Sequence, residues 1–529
     1  MATATQTVLD QKLSRSPGKI GMAVFGIVLV IGVIYSASSL IKDLSTSYIG
    51  SYLPYLLLGL ALLVALGFEF VNGFHDTANA VATVIYTHSL EPHIAVVWSG
   101  FWNFLGVLAS SGLVAFAIVS LLPVELILQV GSKAGFAMVF ALLVAAIIWN
   151  LGTWWFGLPA SSSHTLIGSV IGVGIANQLM NGRSGTSGVD WGQAKNIGYS
   201  LLLSPVVGFG CAFLLLLLAK ALIKDPKLYK APEGTEPPPF YIRCLLILTC
   251  TGVSFFHGSN DGQKGMGLIM LILIGTVPTA YALNHAITYR DSQDFVAVSQ
   301  QAANVLDHYV SPNAAVGDPH DDVTEYIRDK NFTPNTMLAL RTLISDIGNE
   351  TALFGEMKNI PNDRVRNFRN DMYLCSEAIR LMQKSHEPTF TASENAVLLN
   401  YKKHIDHSTR FIPLWVKVAV AMALGLGTMV GWKRIVVTVG EKIGKSHLTY
   451  AQGAVAEITA MATIGAADGF GLPVSTTHVL SSGIAGTMAA NLSGIQWSTV
   501  RNLALAWVLT LPVAMLLSGS LFWVFRKTF

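Results

Sequence analysis

Two short stretches place a run of hydroxyl side chains directly after a Gly-Leu-Pro break in an apolar sequence. They read GLPASSSH at 157–164 and GLPVSTTH at 471–478, with identical residues at five of eight positions. A helix that begins after such a break has unpaired N–H groups in its first turn, and these attract an anion together with the helix dipole. The stretches therefore predict a pair of anion-binding turns. Their candidate ligands are Ser161, Ser162, Ser163, Thr165, Ser475, Thr476 and Thr477.

A simpler interpretation is that one hydroxyl in each stretch only caps the helix that follows, as Ser161 and Ser475 could do. Capping explains one hydroxyl per break, whereas three hydroxyl residues precede each histidine. Anion binding is therefore the favoured interpretation. The histidines themselves, His164 and His478, could carry a proton near neutral pH or simply pack, and the sequence leaves both roles open.

A second, weaker repeat places one aspartate in each half of the chain. Asp76 lies in GFHDTANA at 73–80 and Asp261 in GSNDGQKG at 258–265, each near a glycine that permits a broken helix. An ionisable side chain inside a bilayer costs about 3 kcal/mol, so it is retained where it pairs, faces water or binds something. Its occurrence in both halves favours ion or proton binding over structural pairing alone. The polar neighbours that complete this candidate set are Glu69, His75, Asn79 and Asn260.

Lys264 takes the position in the second aspartate stretch that Asn79 holds in the first. Its ammonium could pair with Asp261, three positions earlier on a helix, or contact an oxygen of a bound anion. It would also repel a metal cation from that half of the site. An ordinary structural ion pair is the alternative interpretation.

The elements that must position these residues are membrane-spanning helices. The chain is 52% hydrophobic and only 12% charged, whereas a soluble domain carries about twice that charge. Apolar runs near or above the roughly 20 residues that cross a bilayer recur throughout. They lie near 20–40, 52–72, 93–121, 134–156, 197–223, 241–257, 265–284, 412–432 and 498–525. The sequence predicts an all-α polytopic membrane protein, and its net charge of +3 gives no reason to expect a nucleic-acid partner.

Composition also divides the chain into membrane and non-membrane segments. We predict an N-terminal segment with an extra anchor helix at 1–51, a first membrane repeat at 52–224, a linker at 225–240, the start of a second repeat at 241–285, a soluble helical insertion at 286–411 and the rest of the second repeat at 412–529. The insertion holds 30 of the 65 charged residues, and its apolar residues recur at helical spacing.

Basic residues determine the expected orientation. Lys12, Arg15 and Lys19 precede the first apolar run, which predicts a cytoplasmic N-terminus. The linker is basic and Pro-rich and is expected in the cytoplasm, and the insertion is expected there too from the neighbouring basic loops. The latter expectation depends on whether 241–284 crosses the membrane once or twice.

The two halves carry their signals in the same order, with the aspartate stretch first and the Gly-Leu-Pro stretch second. Each half divides into about five apolar segments. An odd number of crossings would invert the second half relative to the first, which is common among secondary transporters. We therefore predict two inverted repeats that contain broken or re-entrant helices.

Several long motifs are similar to those of one known family. They are NGFHDTANAVATVIYT, AAIIWNLGTWWFGLPASSSHTLIGS, FFHGSNDGQKGMGL, GWKRIVVTVGEKIGKSHLTYAQG and GLPVSTTHVLSSGIAGTM. They closely resemble the bacterial low-affinity inorganic phosphate transporter (Pit) family, especially its proton-coupled enterobacterial type, over about 52–525 including the insertion. The helix at 20–40 is an addition to the family pattern.

The resemblance implies symport of phosphate with protons across the inner (plasma) membrane. The phosphate would travel largely as a neutral complex of hydrogen phosphate with a divalent metal such as Mg²⁺, a co-substrate, and no other cofactor is expected. The family's repeated aspartates correspond to Asp76 and Asp261, as sites for the proton or the metal, and its hydroxyl-rich hairpins to the stretches after 157 and 471. Phosphate, protons, divalent metal ions and the lipid bilayer are the expected partners, and a homodimer is one assembly left open.

Two residues depart from the sodium-coupled members, which resemble A-N-D-V-A-N in the first half and G-N-D-V-S-N in the second. This chain has His75 before Asp76, and Lys264 where an asparagine is expected. Exchanging an amide oxygen for an ammonium removes a ligand for a hard cation, so proton coupling is expected. The alternatives are a sodium-coupled phosphate symporter and a sulfate or other oxyanion permease. A passive anion channel would not need acids in the site, and no G-x-S-x-G motif supports a hydrolase.

Overall fold

The computed structural model describes residues 13, 19–45, 52–76, 78–122, 127–128, 131–180, 189–232, 237–315 and 317–528. The side chains of Ile20 and of Asn79, a predicted site residue, lie outside the described part, as do Lys12 and Arg15. Within the described residues every regular element is helical, which confirms the all-α prediction.

The described helices of the first half precede the linker. They are α1 (Lys19–Leu44), α2 (Leu53–Asp76), α3 (Ala78–Tyr86), α4 (Pro92–Ala109), α5 (Leu113–Val119), α6 (Lys133–Trp155), α7 (Ser162–Met180) and α8 (Trp191–Leu222), with a short 3₁₀ turn at Pro226–Tyr229.

The second half begins with α9 (Phe240–Thr276) and the short α10 (Pro278–Tyr281). The insertion contributes α11 (Tyr289–Asp307), α12 (Pro319–Asp329), α13 (Pro334–Phe354), α14 (Val365–Ser385) and α15 (Ala392–Thr409), with a 3₁₀ turn at Met357–Asn359. The membrane part resumes with α16 (Leu414–Thr428), α17 (Lys433–Glu441), α18 (Tyr450–Gly469), α19 (Thr476–Ala490) and α20 (Trp497–Thr528).

Seven helical segments in the described part of the chain are long and apolar enough to cross a membrane, or eight if the bent pair α15 and α16 forms one span. This confirms a polytopic helical membrane protein. The apolar run at 241–257 and most of the run at 265–284 belong to one continuous helix, α9, which ends at Thr276. The polar residues between them are buried against neighbouring helices, so their presence does not interrupt the helix.

The length of α9 bears on the expected orientation. Its 37 residues extend about 55 Å, more than the thickness of a bilayer core. The linker precedes its first residue and the insertion follows its last, so the two lie at opposite ends of one spanning helix. A single crossing of the membrane by α9 would therefore leave only one of them in the cytoplasm.

The five helices of the insertion enclose a hydrophobic core of their own, centred on residues such as Phe295, Leu340 and Ile379. The insertion also contacts the membrane part. Arg380 forms an ion pair with Asp190, the residue that caps the start of α8. Arg366 donates a hydrogen bond of 3.2 Å to the carbonyl of Gly275, near the end of α9.

The two Gly-Leu-Pro breaks have the same backbone geometry. Gly157 and Gly471 have φ of +64° and +66°, in the left-handed region that glycine adopts without steric cost. The N–H of Leu158 bonds to the Thr153 carbonyl at 2.9 Å, and that of Leu472 bonds to the Ala467 carbonyl at 2.8 Å. This pattern ends a helix and turns the chain back. Helices α6 and α7 thus form one hairpin, and α18 and α19 form a second.

The hairpins interlock the two halves. Helix α7 packs against α20 and α19 packs against α8. Glycines allow these close approaches, because a Cβ at Gly172 would clash with the Met515 carbonyl and one at Gly486 with the Phe209 carbonyl. Small residues at such contacts are typical of helix packing in membranes.

The glycines near the aspartates serve packing as well. A Cβ at Gly73 would clash with the Leu424 carbonyl, and one at Gly258 with the Asn103 carbonyl. Helix α9 continues through Gly258 without interruption. The expectation that this glycine permits a broken helix is therefore wrong, since its role is to let α4 approach α9.

Candidate functional site

Asp76, the last residue of α2, lies where the two hairpins meet. The hydroxyl of Ser162, at the start of α7, donates to its Oδ2 at 2.9 Å. The hydroxyl of Thr477, in the first turn of α19, donates to its Oδ1 at 2.7 Å. Nδ1 of His75 lies 3.1 Å from the same Oδ1. One buried carboxylate thus joins hydroxyls from both halves of the chain.

His75 also contacts the first helix of the first hairpin. Its Nε2 lies 3.1 Å from the hydroxyl of Thr153 on α6. Both ring nitrogens therefore have partners, and the ring is fully buried. This arrangement holds the imidazole at a defined angle beside Asp76.

Lys264 and Asp261 form a buried ion pair with the nitrogen 2.6 Å from Oδ1. The ammonium of Lys264 also donates to the hydroxyl of Ser163 at 2.5 Å. Ser163 in turn donates to the carbonyl of Val474, in the second break, at 2.7 Å. The predicted pairing of the lysine is thus present, and it extends to both hairpins.

His257 lies between the two aspartates, and the sequence interpretation did not include it. Its Nε2 is 3.6 Å from Asp261 Oδ2 and 4.0 Å from Asp76 Oδ2, and its Nδ1 is 2.8 Å from the amide oxygen of Asn103. The sequence signal was its position four residues before Asp261, which places both on one helix face.

The candidate ligand atoms of Asp76, His257 and Asp261 all lie within 4.8 Å of one another, so the three side chains could hold a metal ion. Since Nδ1–H donates to Asn103, the neutral imidazole would present a lone pair at Nε2 toward two carboxylates. A cation between the three groups would relieve this repulsion. With Lys264 as the neighbouring cation, the two aspartates leave one negative charge to be balanced.

Other predicted residues make contacts that belong to the helices themselves. The hydroxyl of Ser161 accepts from the N–H of His164 at 3.2 Å, and that of Ser475 accepts from the N–H of His478 at 3.1 Å. Thr165 donates to the Ser161 carbonyl at 2.9 Å. These three hydroxyls have capping or backbone contacts, whereas Ser162, Ser163 and Thr477 are directed to the charged centre; Thr476 is buried in the same turn as Thr477.

The remaining polar residues tie α9 and α2 to the centre. Asn260 donates to the carbonyl of Leu472 at 3.1 Å, and Asp468 accepts hydrogen bonds from Ser259 and Gln263 at 2.6 Å each. The carboxyl of Glu69 lies against Gly265, where a Cβ would clash with it.

The packing of the helices brings together two further groups of side chains. The rings of His164 and His478 lie 4.6 Å apart between centroids, and Trp507 stacks on His478 at 4.2 Å. Glu457, which accepts hydrogen bonds from Thr83 and Thr249, forms a separate buried cluster.

A buried charged centre between two re-entrant hairpins, inside a bundle of apolar helices, is typical of secondary membrane transporters. Comparison with known families agrees with this class. The chain belongs to the phosphate transporter family (PHO4), whose family model matches residues 72–518.

Individual relatives extend over nearly the whole chain. The low-affinity inorganic phosphate transporter PitA of Escherichia coli is 44% identical over 486 residues, covering 89% of this chain and 96% of the relative. PitB of the same species is 42% identical with the same coverage. A solved structure described as the sodium-dependent phosphate transporter aligns with a TM-score of 0.50 and 19% identity, covering 90% of this chain and all of that one, which shows a shared fold.

Proposed function

We propose that this chain is a low-affinity inorganic phosphate transporter that moves phosphate into the cell across the plasma membrane together with protons. Family membership and the names of its relatives support phosphate as the substrate. The observation that carries the proposal is the joint contact of Ser162 and Thr477 with Asp76. These two hydroxyls can bind an oxyanion, and the Asp76 carboxylate holds them in place. A transported cation would balance the charge of that carboxylate.

The charge of the centre supports a substrate that brings positive charge with it. Asp76 and Asp261 carry two negative charges against one from Lys264, so a bare phosphate anion would be repelled. A neutral complex of a divalent metal with hydrogen phosphate avoids this repulsion. The metal, as cargo, would contact the Asp76, His257 and Asp261 side chains while phosphate oxygens complete its coordination.

Lys264 supports proton coupling rather than sodium coupling. Its ammonium lies at hydrogen-bond distance from Asp261 and from Ser163, where a monovalent cation would otherwise find oxygen ligands. A proton can still bind at Asp76 or His257, because protonation needs no additional coordination space. Proton binding at Asp76 would free Ser162 and Thr477 to donate to the phosphate.

An inverted arrangement of the halves would provide alternating access around this centre. The chain before α6 lies near the end of α9, since a Cβ at Gly131 would clash with the Gly275 carbonyl. By contrast, Ala451 at the start of α18 belongs to a hydrophobic cluster against which Leu228 of the linker packs. The linker leads into the first residue of α9, so α18 starts near the opposite end of that helix. Entry of the two hairpins from opposite ends of α9 supports inversion.

The test is uptake of labelled phosphate into vesicles that contain the purified protein, with the proton gradient, sodium, magnesium and sulfate varied one at a time. We expect uptake to follow the proton gradient, to increase with magnesium and to resist excess sulfate. Dependence on sodium at a constant proton gradient would contradict proton coupling. Uptake driven by no gradient would indicate a channel, and full competition by sulfate would indicate a general oxyanion permease.

A further inference from the structure

Helix α1 lies outside the region that defines the family. It ends at Leu44, whereas the family match begins at residue 72. Only 6% of the apolar stretch of this helix is buried, so most of its surface faces away from the rest of the protein. A close contact with the body occurs at Gly32, where a Cβ would clash with Met422 of α16.

A cavity of about 740 Å³ separates the first turns of α1 from the body of the protein. Most of its wall is apolar, and includes Met22, Phe25, Val96 and Val97. A second apolar cavity, of about 430 Å³, lies further along α1 between Leu29 and Leu40 and the helices α2 and α16. The helix is thus flanked by apolar space along most of its length.

One side of the larger cavity is basic. His93, Lys433 and Arg434 line it together with Trp154 and Trp432. The guanidinium of Arg434 donates to the Trp155 carbonyl at 2.6 Å and lies 4.4 Å from the Trp155 ring centroid. Among the described residues, none of the contacts of Arg434 is with a carboxylate, so its charge is not neutralised there.

His93 adds an unsatisfied polar atom to the same wall. Its Nε2 is buried and has no hydrogen-bond partner among the described residues. A buried ring nitrogen without a partner costs free energy, so an occupant that bonds to it is favoured. Exposed Trp155 and Phe156 next to this wall are typical of the boundary between lipid tails and headgroups.

We propose that this cavity binds an anionic phospholipid. Its phosphate contacts Arg434, with Lys433 and His93 beside it, and its acyl chains lie along α1 in the two apolar cavities. Basic pockets between membrane helices bind such headgroups on the cytoplasmic side, which is the side expected for the start of α1. Inorganic phosphate lacks the apolar part that these walls require. The proposal is independent of which substrate the transporter carries.

Native mass spectrometry of the full-length protein tests this site. The protein is equilibrated in mixed micelles with equal amounts of phosphatidylglycerol, which is anionic, and phosphatidylethanolamine, which is zwitterionic. We expect the wild type to retain phosphatidylglycerol preferentially, and K433Q/R434Q to lose about fivefold in preference for each charge removed. Met22→Trp, which fills apolar space, should lower retention of both lipids while keeping the preference.

The matched control is R526Q/K527Q at the end of α20, where Lys527 also lies over a tryptophan ring, that of Trp523, at 3.7 Å. This variant should bind lipid as the wild type does. Equal retention of the two lipids by the wild type, or an equal loss in the control, would overturn the proposal. So would displacement of the lipid by millimolar inorganic phosphate, or cross-linking of α1 to α1 of a second copy. Unchanged phosphate uptake by each variant shows that it has folded.

Discussion

The Thr477 hydroxyl donates a hydrogen bond to the Asp76 carboxylate at 2.7 Å, across 401 positions of sequence. This bond links α19, in the second hairpin, to α2, which comes before the first hairpin in the chain. With the matching bond from Ser162, it makes Asp76 the point at which both halves of the membrane part meet. The predictions below follow from this arrangement and from the contacts of the insertion.

Asp76→Asn removes the charge that holds both hydroxyls and that a proton or metal would balance. Breaking a buried charged network costs about 3–5 kcal/mol, so we expect phosphate uptake to fall by about 100-fold or more. Vesicle uptake at saturating proton gradient measures this. Asp307→Asn is the control, because Asp307 pairs with Arg341 on the exposed surface of the insertion and should transport normally. Normal uptake by the Asp76 variant would exclude a coupling role.

Thr477→Val and Ser475→Ala separate binding from capping. Thr477→Val keeps the side-chain volume but loses a hydrogen bond to a charged group, so uptake should fall about tenfold with little loss of stability. Ser475→Ala loses the cap of α19 and should cost about 1 kcal/mol of stability, with uptake per folded molecule nearly unchanged. Thermal unfolding and uptake are measured on both proteins. An equal loss of uptake in both variants would contradict this division.

Lys264→Asn supplies an amide oxygen where the ammonium now lies. We expect this variant to gain sodium-stimulated phosphate uptake at a constant proton gradient, because Asp261 and the amide then offer oxygen ligands to a hard cation. Lys264→Met removes the same charge without adding a ligand and is the control. Sodium stimulation in the methionine variant as well would show that the ammonium acts only through its charge.

The insertion should lose local stability as the pH rises. Nδ1 of His320 donates a hydrogen bond of 2.7 Å to the carboxylate of Asp371, and this bond raises the pKa of His320 above its ordinary value. The stabilisation is complete below the unfolded pKa of about 6.5 and is lost as the pH rises through the raised folded pKa. Hydrogen exchange at the start of α12, corrected for intrinsic rates, should therefore be faster at about pH 9 than at about pH 6. His320→Gln should abolish the difference, whereas His404→Gln, at a partly buried histidine on α15, should retain it.

The contact between the insertion and α8 depends on Asp190. Burial by itself would raise the pKa of Asp190, but the charges of Arg380 and Lys330 and the N–H of Gln193 outweigh it and lower that pKa. The contact is therefore fully stabilising above the ordinary carboxyl pKa of about 3.9 and is lost as the pH falls through the lowered value. Arg380→Gln should increase hydrogen exchange in residues 189–200 at neutral pH. Arg341→Gln, whose partner is within the insertion, should leave that segment protected.

Local sequence was sufficient for the features that depend on local backbone chemistry. The Gly-Leu-Pro stretches predicted both helix breaks, and the structure shows why they occur there: glycine adopts the positive φ of the turn and proline cannot continue the preceding helix. Long apolar runs predicted spanning helices, and the two aspartates were singled out because charge is costly in a bilayer. Helical spacing allowed the pairing of Lys264 with Asp261, which was one of the two contacts considered for this ammonium.

Contacts between distant segments required the tertiary structure. Sequence spacing did not indicate that His257 lies between Asp76 and Asp261, because Asp76 belongs to another helix. It also did not distinguish Ser162, which faces Asp76, from Ser161, which caps α7. The glycine at 258 was expected to break a helix, but its role depends on α4, which packs against it.

The sequence by itself thus determined that the chain enters the membrane many times, where two of the apolar runs are broken and which residues carry charge there. The tertiary structure alone decided which hydroxyl faces which carboxylate, and that the linker and the insertion lie at opposite ends of α9. The physical reason is that helix formation and turn geometry depend on neighbouring residues, whereas the partners of a buried polar group are determined by how whole helices pack.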